Sequence, residues 1–388
     1  MFLKRTFFVI YVLSLFVFNS YGKSKPDSIL NVLDETILLE QTYDQEKEQK
    51  LYELKSLLKE CSTFEDMHDT YFQLFKEYEA YIFDSALYYV QQHLEISETE
   101  NNIYWINECK MQLARMYSTF ASFYEAKALL NSVEKSDLGT EQVGAYYNSF
   151  AELYTYWSEY SSREEVQKYR SLKDTYQDSA LMVIAEGTYS YDINYGRSCI
   201  DLRKFEEAEY ILLPYLLQME PDTRDYAILT SIIAYMYELK GDINMQKEYL
   251  ARSAIADIRG SIKENTSLGA LAYLLLNEGD VNRANCYVKK SMEDANFYNA
   301  RLRNVQISKI LPIIDTAFQR DREKYQKRLQ LTIVIIVLLS LFLAGIIFYL
   351  FRQMKKLAVT RREVIQANKE LKKINNHLSE TNHIKEEY

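Results

Sequence analysis

Glycine and proline are the first things missing, at 10 and 4 in 388 residues, far below ordinary usage. A chain so poor in both cannot build the many tight turns of a sheet-rich fold, which leaves long helices joined by short polar connections. Histidine is nearly as scarce. His68, His93, His377 and His383 stand in no HExxH arrangement, and His377 and His383, six apart, do not share a helix face. The four cysteines, Cys61, Cys109, Cys199 and Cys286, form no CxxC pair, so a zinc framework is not expected. They read as buried free thiols in helix interfaces, ahead of one disulfide in an oxidising compartment. No GxSxG elbow, Walker loop or GxGxxG occurs. The acid pairs Glu164-Glu165 and Glu206-Glu207 read as solvated faces. No catalytic residue, cofactor or metal site is therefore expected, and the chain reads as a non-enzyme.

What is present is unevenly distributed. The net charge is −9, yet the first 22 residues hold Lys4 and Arg5 and no acid, and residues 329–388 hold nine basic residues against five acidic. The middle is thus strongly acidic, which disfavours nucleic-acid binding there because phosphate affinity needs clustered Lys and Arg. Tyrosine is abundant at 34. Its flat ring packs while its hydroxyl still needs a partner, as stacked helical hairpins with half-wet grooves require. Packing is the first reading of these rings and a ligand surface the second.

Two apolar segments have different roles. At the N-terminus, basic Lys4 and Arg5 precede the apolar run Phe7 to Phe18, and small Ser20 and Gly22 precede Lys23. That order predicts a secretory signal peptide over residues 1–22, with an uncleaved anchor as the alternative. The run is too short to cross ~30 Å of hydrocarbon comfortably. The second segment, Leu331 to Phe351, has 21 residues and no charge, bracketed by Arg328 and Arg352. It predicts a membrane-spanning helix within 329–351. Five basic residues lie within 15 residues on each side, so the local charge rule does not orient it. The signal peptide does, placing residues 23–328 in the periplasm and the C-terminus in the cytoplasm, single-pass in the inner membrane.

Between residues 30 and 320 the apolar residues recur at helical spacing, with a long opening helix expected at about Leu33 to Leu58. Three segments align: RSCIDLRKFEEAEYILLPYL, MYELKGDINMQKEYLARSA and LLLNEGDVNRANCYVKKSM. Each reads as a helix end, a polar turn and a second helix. Ala208, Gln246 and Ala284 are spaced 38 apart, and Val166, Ala126 and Ala86 extend the series backwards at 42, 40 and 40. Gly196, Ala114, Ala234 and Ala272 are small residues in the preceding helices, and Gly241 and Gly279 are expected as left-handed C-caps. Ala86, Ala126, Gly196, Ala208, Gly241, Ala272, Gly279 and Ala284 are accordingly the candidate repeat-packing residues of an all-α hairpin solenoid. The pattern resembles tetratricopeptide repeats, most clearly at NEGDVNRANCYVKKSM, though the period exceeds their usual one. Such a fold implies a concave surface for a protein or peptide partner.

Beyond the span, residues 352–388 lack both Gly and Pro. Leu357, Val364, Leu371 and Leu378 recur every seven residues, and Asn368, Asn375 and Asn382 recur at the companion seam position. Apolar d positions with Asn at a predict a parallel homodimeric coiled coil of fixed register. A solitary helix lying on the membrane surface is the alternative.

The segments LDETILLEQTYDQEKEQKLYELKSLL, YEAYIFDSALYYVQQHLEI and ANKELKKINNHLSETNHIKEEY, with the span between the last two, resemble a Bacteroidetes-type family. Its members are tetratricopeptide-repeat transmembrane regulators. The resemblance implies a signal-transducing receptor whose cytoplasmic helix relays to a transcriptional output region continuing beyond the position of Tyr388. Two other readings compete. In one the chain is a sensor histidine kinase cut before its catalytic region, which a phosphoacceptor motif in the following coding sequence would reveal. In the other it is a membrane-tethered scaffold that signals nothing, and its phenotype would survive deletion of residues 352–388.

Overall fold

The computed structural model describes residues 28–386 apart from positions 265 and 300, and describes no side chains from 380 onward. The expected leader, residues 1–22, and the side chain of Asn382 lie outside the described residues. Among the described residues there are fifteen α-helices and no strand. They are α1 (Ser28–Leu38), α2 (Glu40–Glu60), α3 (Phe64–Tyr78), α4 (Phe83–Thr99), α5 (Ile103–Thr119), α6 (Phe123–Asn131), α7 (Thr140–Glu159) and α8 (Arg163–Val183). There follow α9 (Tyr189–Asp201), α10 (Phe205–Leu216), α11 (Arg224–Lys240), α12 (Ile243–Arg259), α13 (Ser267–Glu278), α14 (Val281–Tyr298) and α15 (Arg301–Glu386).

From α3 to α14 the helices pack as six consecutive hairpins, α3 with α4 through α13 with α14. The aligned positions Ala86, Ala126, Val166, Ala208, Gln246 and Ala284 each fall on the fourth residue of a hairpin's second helix. There the backbone N–H closes the first helical turn onto the carbonyl of the residue before the helix, at 2.9–3.1 Å in all six hairpins. Four of the alanines, with no side chain beyond Cβ, are wholly buried, whereas Val166 and Gln246 are half-buried. Asn102, Thr188, Thr223, Asp242 and Asp280 cap helix starts, each side chain accepting a hydrogen bond from the backbone N–H three residues on.

One turn recurs. Gly241 and Gly279 end α11 and α13 with φ of 81° and 88°. Ala121 and Arg203 hold the same place after α5 and α9 with φ of 70° and 58°. The next residue donates to the carbonyl five residues back, as Asp242 N–H does to the Tyr237 carbonyl and Lys204 N–H to that of Cys199. This is the Schellman arrangement; inside these four hairpins Ala121 and Arg203 accept the left-handed conformation that glycine supplies at the other two.

The chain divides into two compact units between Phe318 and Gln319. Within the first, α1 packs on α12, and Leu30 and Leu33 share one core with Leu250, Ala254, Tyr287 and Val288. The start of α15 supplies Ile307 and Ile314 to the same core. The opening helix expected over Leu33 to Leu58 is therefore two helices meeting at Leu39. Each bends toward its own partner, α1 burying Leu30 and Leu33 and α2 burying Leu51 and Leu54 against the next hairpin.

The second unit consists of helix α15 from Gln319 onward. Its apolar stretch makes it the one helix among the described residues long and apolar enough to cross a membrane, and that stretch is unburied.

Candidate ligand cavity and output helix

Inside the first unit the first helices of successive hairpins, α5, α7, α9, α11 and α13, turn one face toward a shared cavity of about 1320 Å³. At its wall Glu79, just past the end of α3, is 6% exposed. Arg224 binds its carboxylate, and Arg115 and Lys76 approach it at 3.5 Å. Burial opposes its ionisation, but the three cations outweigh that and hold its pKa at about 2. The network then extends both ways. Arg115 Nε donates to Glu152 at 3.0 Å, and Glu264 lies 3.7 Å from Arg224 and 3.4 Å from Arg303. Arg303 belongs to the first turn of α15, so one chain of charges runs from the cavity wall to the head of the long helix. The hydroxyl of Tyr160 adds a hydrogen bond to the Leu302 carbonyl at 2.8 Å.

Other lining groups have no such partners. Asp257, on α12, is 6% exposed and lines the cavity, with no hydrogen bond or ion pair to its carboxylate among the described residues. Burial raises its pKa well above the ordinary 3.8, with Glu264 and Asp294 adding to the effect and Arg224 opposing it. Gln112 Oε1, Asn148 Oδ1 and Ser291 Oγ also line it, buried and without partners. Each is an acceptor position shut away from bulk water.

A second polar cluster joins α1 and α2 to α14 and to the connection between α12 and α13. Asp34 accepts from Tyr287 at 2.6 Å and from Arg283 at 2.9 Å, Glu40 binds Lys290 at 2.6 Å, and Lys263 binds both Glu40 and Asp44. These contacts span more than two hundred residues of sequence.

Of the candidate repeat-packing residues, Ala86, Ala126, Ala208, Ala272 and Ala284 are wholly buried. Gly196 is packed so tightly that a Cβ there would lie 2.6 Å from Leu212 Cδ2. Gly241 and Gly279 occupy left-handed turns. The seam candidates Leu357, Val364, Leu371 and Leu378 are exposed on α15, as are Asn368 and Asn375. One continuous helix carries them, and a seven-residue repeat keeps them within a slowly drifting stripe.

The thiol expectation needs correction. All four cysteines are free, but only Cys109 and Cys199 are buried; Cys61 is half-buried and Cys286 exposed. Cys286 lies two residues after Ala284 on α14, and two residues along a helix turns a side chain most of the way to the opposite face. His68 and His93 are buried, His68 Nδ1 lying 2.8 Å from His93 Nε2 with the Trp105 ring stacked alongside. Burial lowers the His93 pKa to about 4. Among the described residues no group of three or more His, Cys, Asp or Glu is arranged to hold a metal.

The tyrosines serve packing and cavity alike. Tyr154 stacks on Trp157, Tyr169 and Tyr176 between α7 and α8, while Tyr156, Tyr189, Tyr235, Tyr273 and Tyr298 line the cavity. Sequence reasoning missed Glu79, Arg115, Arg224, Asp257 and Arg303, which belong to no local motif. Only Asp257 carried a signal, as a lone acid inside the apolar run Ala254-Ile255-Ala256-Asp257-Ile258.

No curated protein matches the chain. A family model described as the SusR N-terminal TPR domain matches residues 37–309.

Proposed function

This chain belongs to the SusR N-terminal TPR domain family, and from that premise we propose that it is a membrane-anchored, signal-transducing regulator. In this reading the repeat unit lies in the periplasm and takes a protein or peptide ligand into its cavity. Helix α15 crosses the inner membrane once, and its cytoplasmic part pairs with a second copy to pass the change to a transcriptional output.

The observation that carries the reading is the charge chain from Glu79 through Arg224 and Glu264 to Arg303. A ligand that competes for any member alters the contacts of the first turn of the helix that leads toward the apolar stretch. Orientation is supported by the leader-like residues 1–22 and by the tail's Lys369, Lys372 and Lys373. The seam of Leu357, Val364, Leu371 and Leu378 with Asn368, Asn375 and Asn382 supports a dimer of defined register.

Two experiments test this. Reporter fusions placed before Leu331 and after Phe351 should report opposite faces of the membrane, and matching faces would end the proposal. Deleting residues 352–388 in the cell should abolish the transcriptional response while the membrane-bound repeat unit persists. A response that survives the deletion would leave only a tethering role.

A further inference from the structure

We infer that the cavity receives a cationic, donor-only group, the ammonium or guanidinium of a basic peptide, with Asp257 as its counter-ion. The inference rests on the receptor reading above and specifies the chemistry of the ligand. Charge points in this direction first. Eight acidic and five basic side chains line the cavity, and four of the bases are already committed. Arg115, Lys173, Arg224 and Arg303 bind Glu79, Glu152, Asp201 and Glu264. Only Arg197, exposed at the wall, has no ion pair among the described residues. The cavity therefore has more carboxyl groups than cations of its own to meet them.

Burial points the same way. Asp257 has lost nearly all contact with solvent and gains no partner in exchange, a costly arrangement unless an incoming group repays it. The buried Gln112 Oε1 and Asn148 Oδ1 are acceptors lacking donors, and Ser291 Oγ is free to accept. An anion would meet this lining with repulsion, and an apolar ligand would leave the acceptors orphaned. A peptide bearing Lys or Arg brings a charged donor for Asp257. Tyr235 and Tyr273, half-exposed at 49% and 47%, offer ring faces to the same cation.

The charged groups facing Asp257 are Glu264, Asp294 and Arg224. The two acids oppose its ionisation, and an incoming cation favours it.

The test uses the full chain in lipid nanodiscs and titration calorimetry with three probes: trilysine, spermidine and triglutamine. Trilysine should bind and lose roughly thirtyfold or more in affinity in Asp257→Asn. That variant keeps the side chain's size and relieves a buried acid, so it should fold, which far-UV circular dichroism checks. Spermidine binding equally well, with the same dependence on Asp257, supports the cation site and assigns it to a free polyamine. Triglutamine binding as tightly as trilysine, trilysine binding unchanged by Asp257→Asn, or no binding by either cation overturns the inference. None of these outcomes touches the receptor reading, which stands or falls on the deletion of residues 352–388.

Discussion

Glu79 is a buried carboxylate held among three cations, and such groups respond to pH with a definite sign. Its pKa of about 2 in the fold lies below its ordinary 4.5. Its contribution to stability is therefore complete above about pH 4.5 and is lost as pH falls toward 2. Glu79→Gln leaves Arg224 and Arg115 without their shared carboxylate and should cost about 3–5 kcal/mol in denaturant melts at pH 7. Between pH 4.5 and 2 the variant's stability should fall less steeply than the parent's. Asp257 behaves oppositely: its raised pKa means that stability is lost as pH rises through that value. Asp257→Asn should accordingly melt higher than the parent above it, checked by thermal scans at several pH values. Gly196 is a steric case. Gly196→Ala should destabilise by about 1–2 kcal/mol despite alanine's better helix propensity, because the added Cβ meets Leu212.

At the scale of elements, the hairpin turn is the repeated device. Ala121 and Arg203 adopt the left-handed conformation that glycine supplies at Gly241 and Gly279. Arg203→Gly should therefore stabilise by up to about 1 kcal/mol, read as a higher urea midpoint with unchanged slope. The same device explains what could be read from the residues. The anchor series was visible because the fourth position of each second helix faces its hairpin mate, and a small residue is the simplest way to let two backbones approach. Glycine marked two of the turns for a different reason, its tolerance of the left-handed conformation. The break at Leu39 was invisible: Leu38 and Leu39 are both exposed, no Gly or Pro interrupts the run, and the bend follows from two docking partners far along the chain. Val166 and Gln246 keep the register without the small side chain, since both positions are only half-buried.

At the scale of the whole repeat unit, the meeting of α1 and α2 with α12 and α14 had no sequence signature. Lys263 with Glu40, or Tyr287 with Asp34, are single pairs separated by more than two hundred positions, and neither periodicity nor local motif encodes such pairs. The cavity shares that origin, since its lining is assembled from one face of many helices. Arrays whose repeats touch only their neighbours unfold piecemeal, whereas shared packing between the first and last helices should join the unit into one transition. Leu33→Ala, wholly buried in α1, should cost about 2–5 kcal/mol. It should also lower the fluorescence transition of Trp105 and Trp157 in α5 and α7 together with the circular-dichroism transition. A shift in the second signal alone would mean that α1 frays independently.

The docking of α1 on α12 also limits how this molecule can change in size. An open array can gain or lose a repeat by gene duplication or deletion and keep both of its caps. Here a seventh hairpin, or the loss of one of the six, would pull Asp34 away from Arg283 and Tyr287 and leave the apolar faces of both termini bare. The number of repeats is thus locked by the closure, and diversification is channelled into the side chains that line the interior.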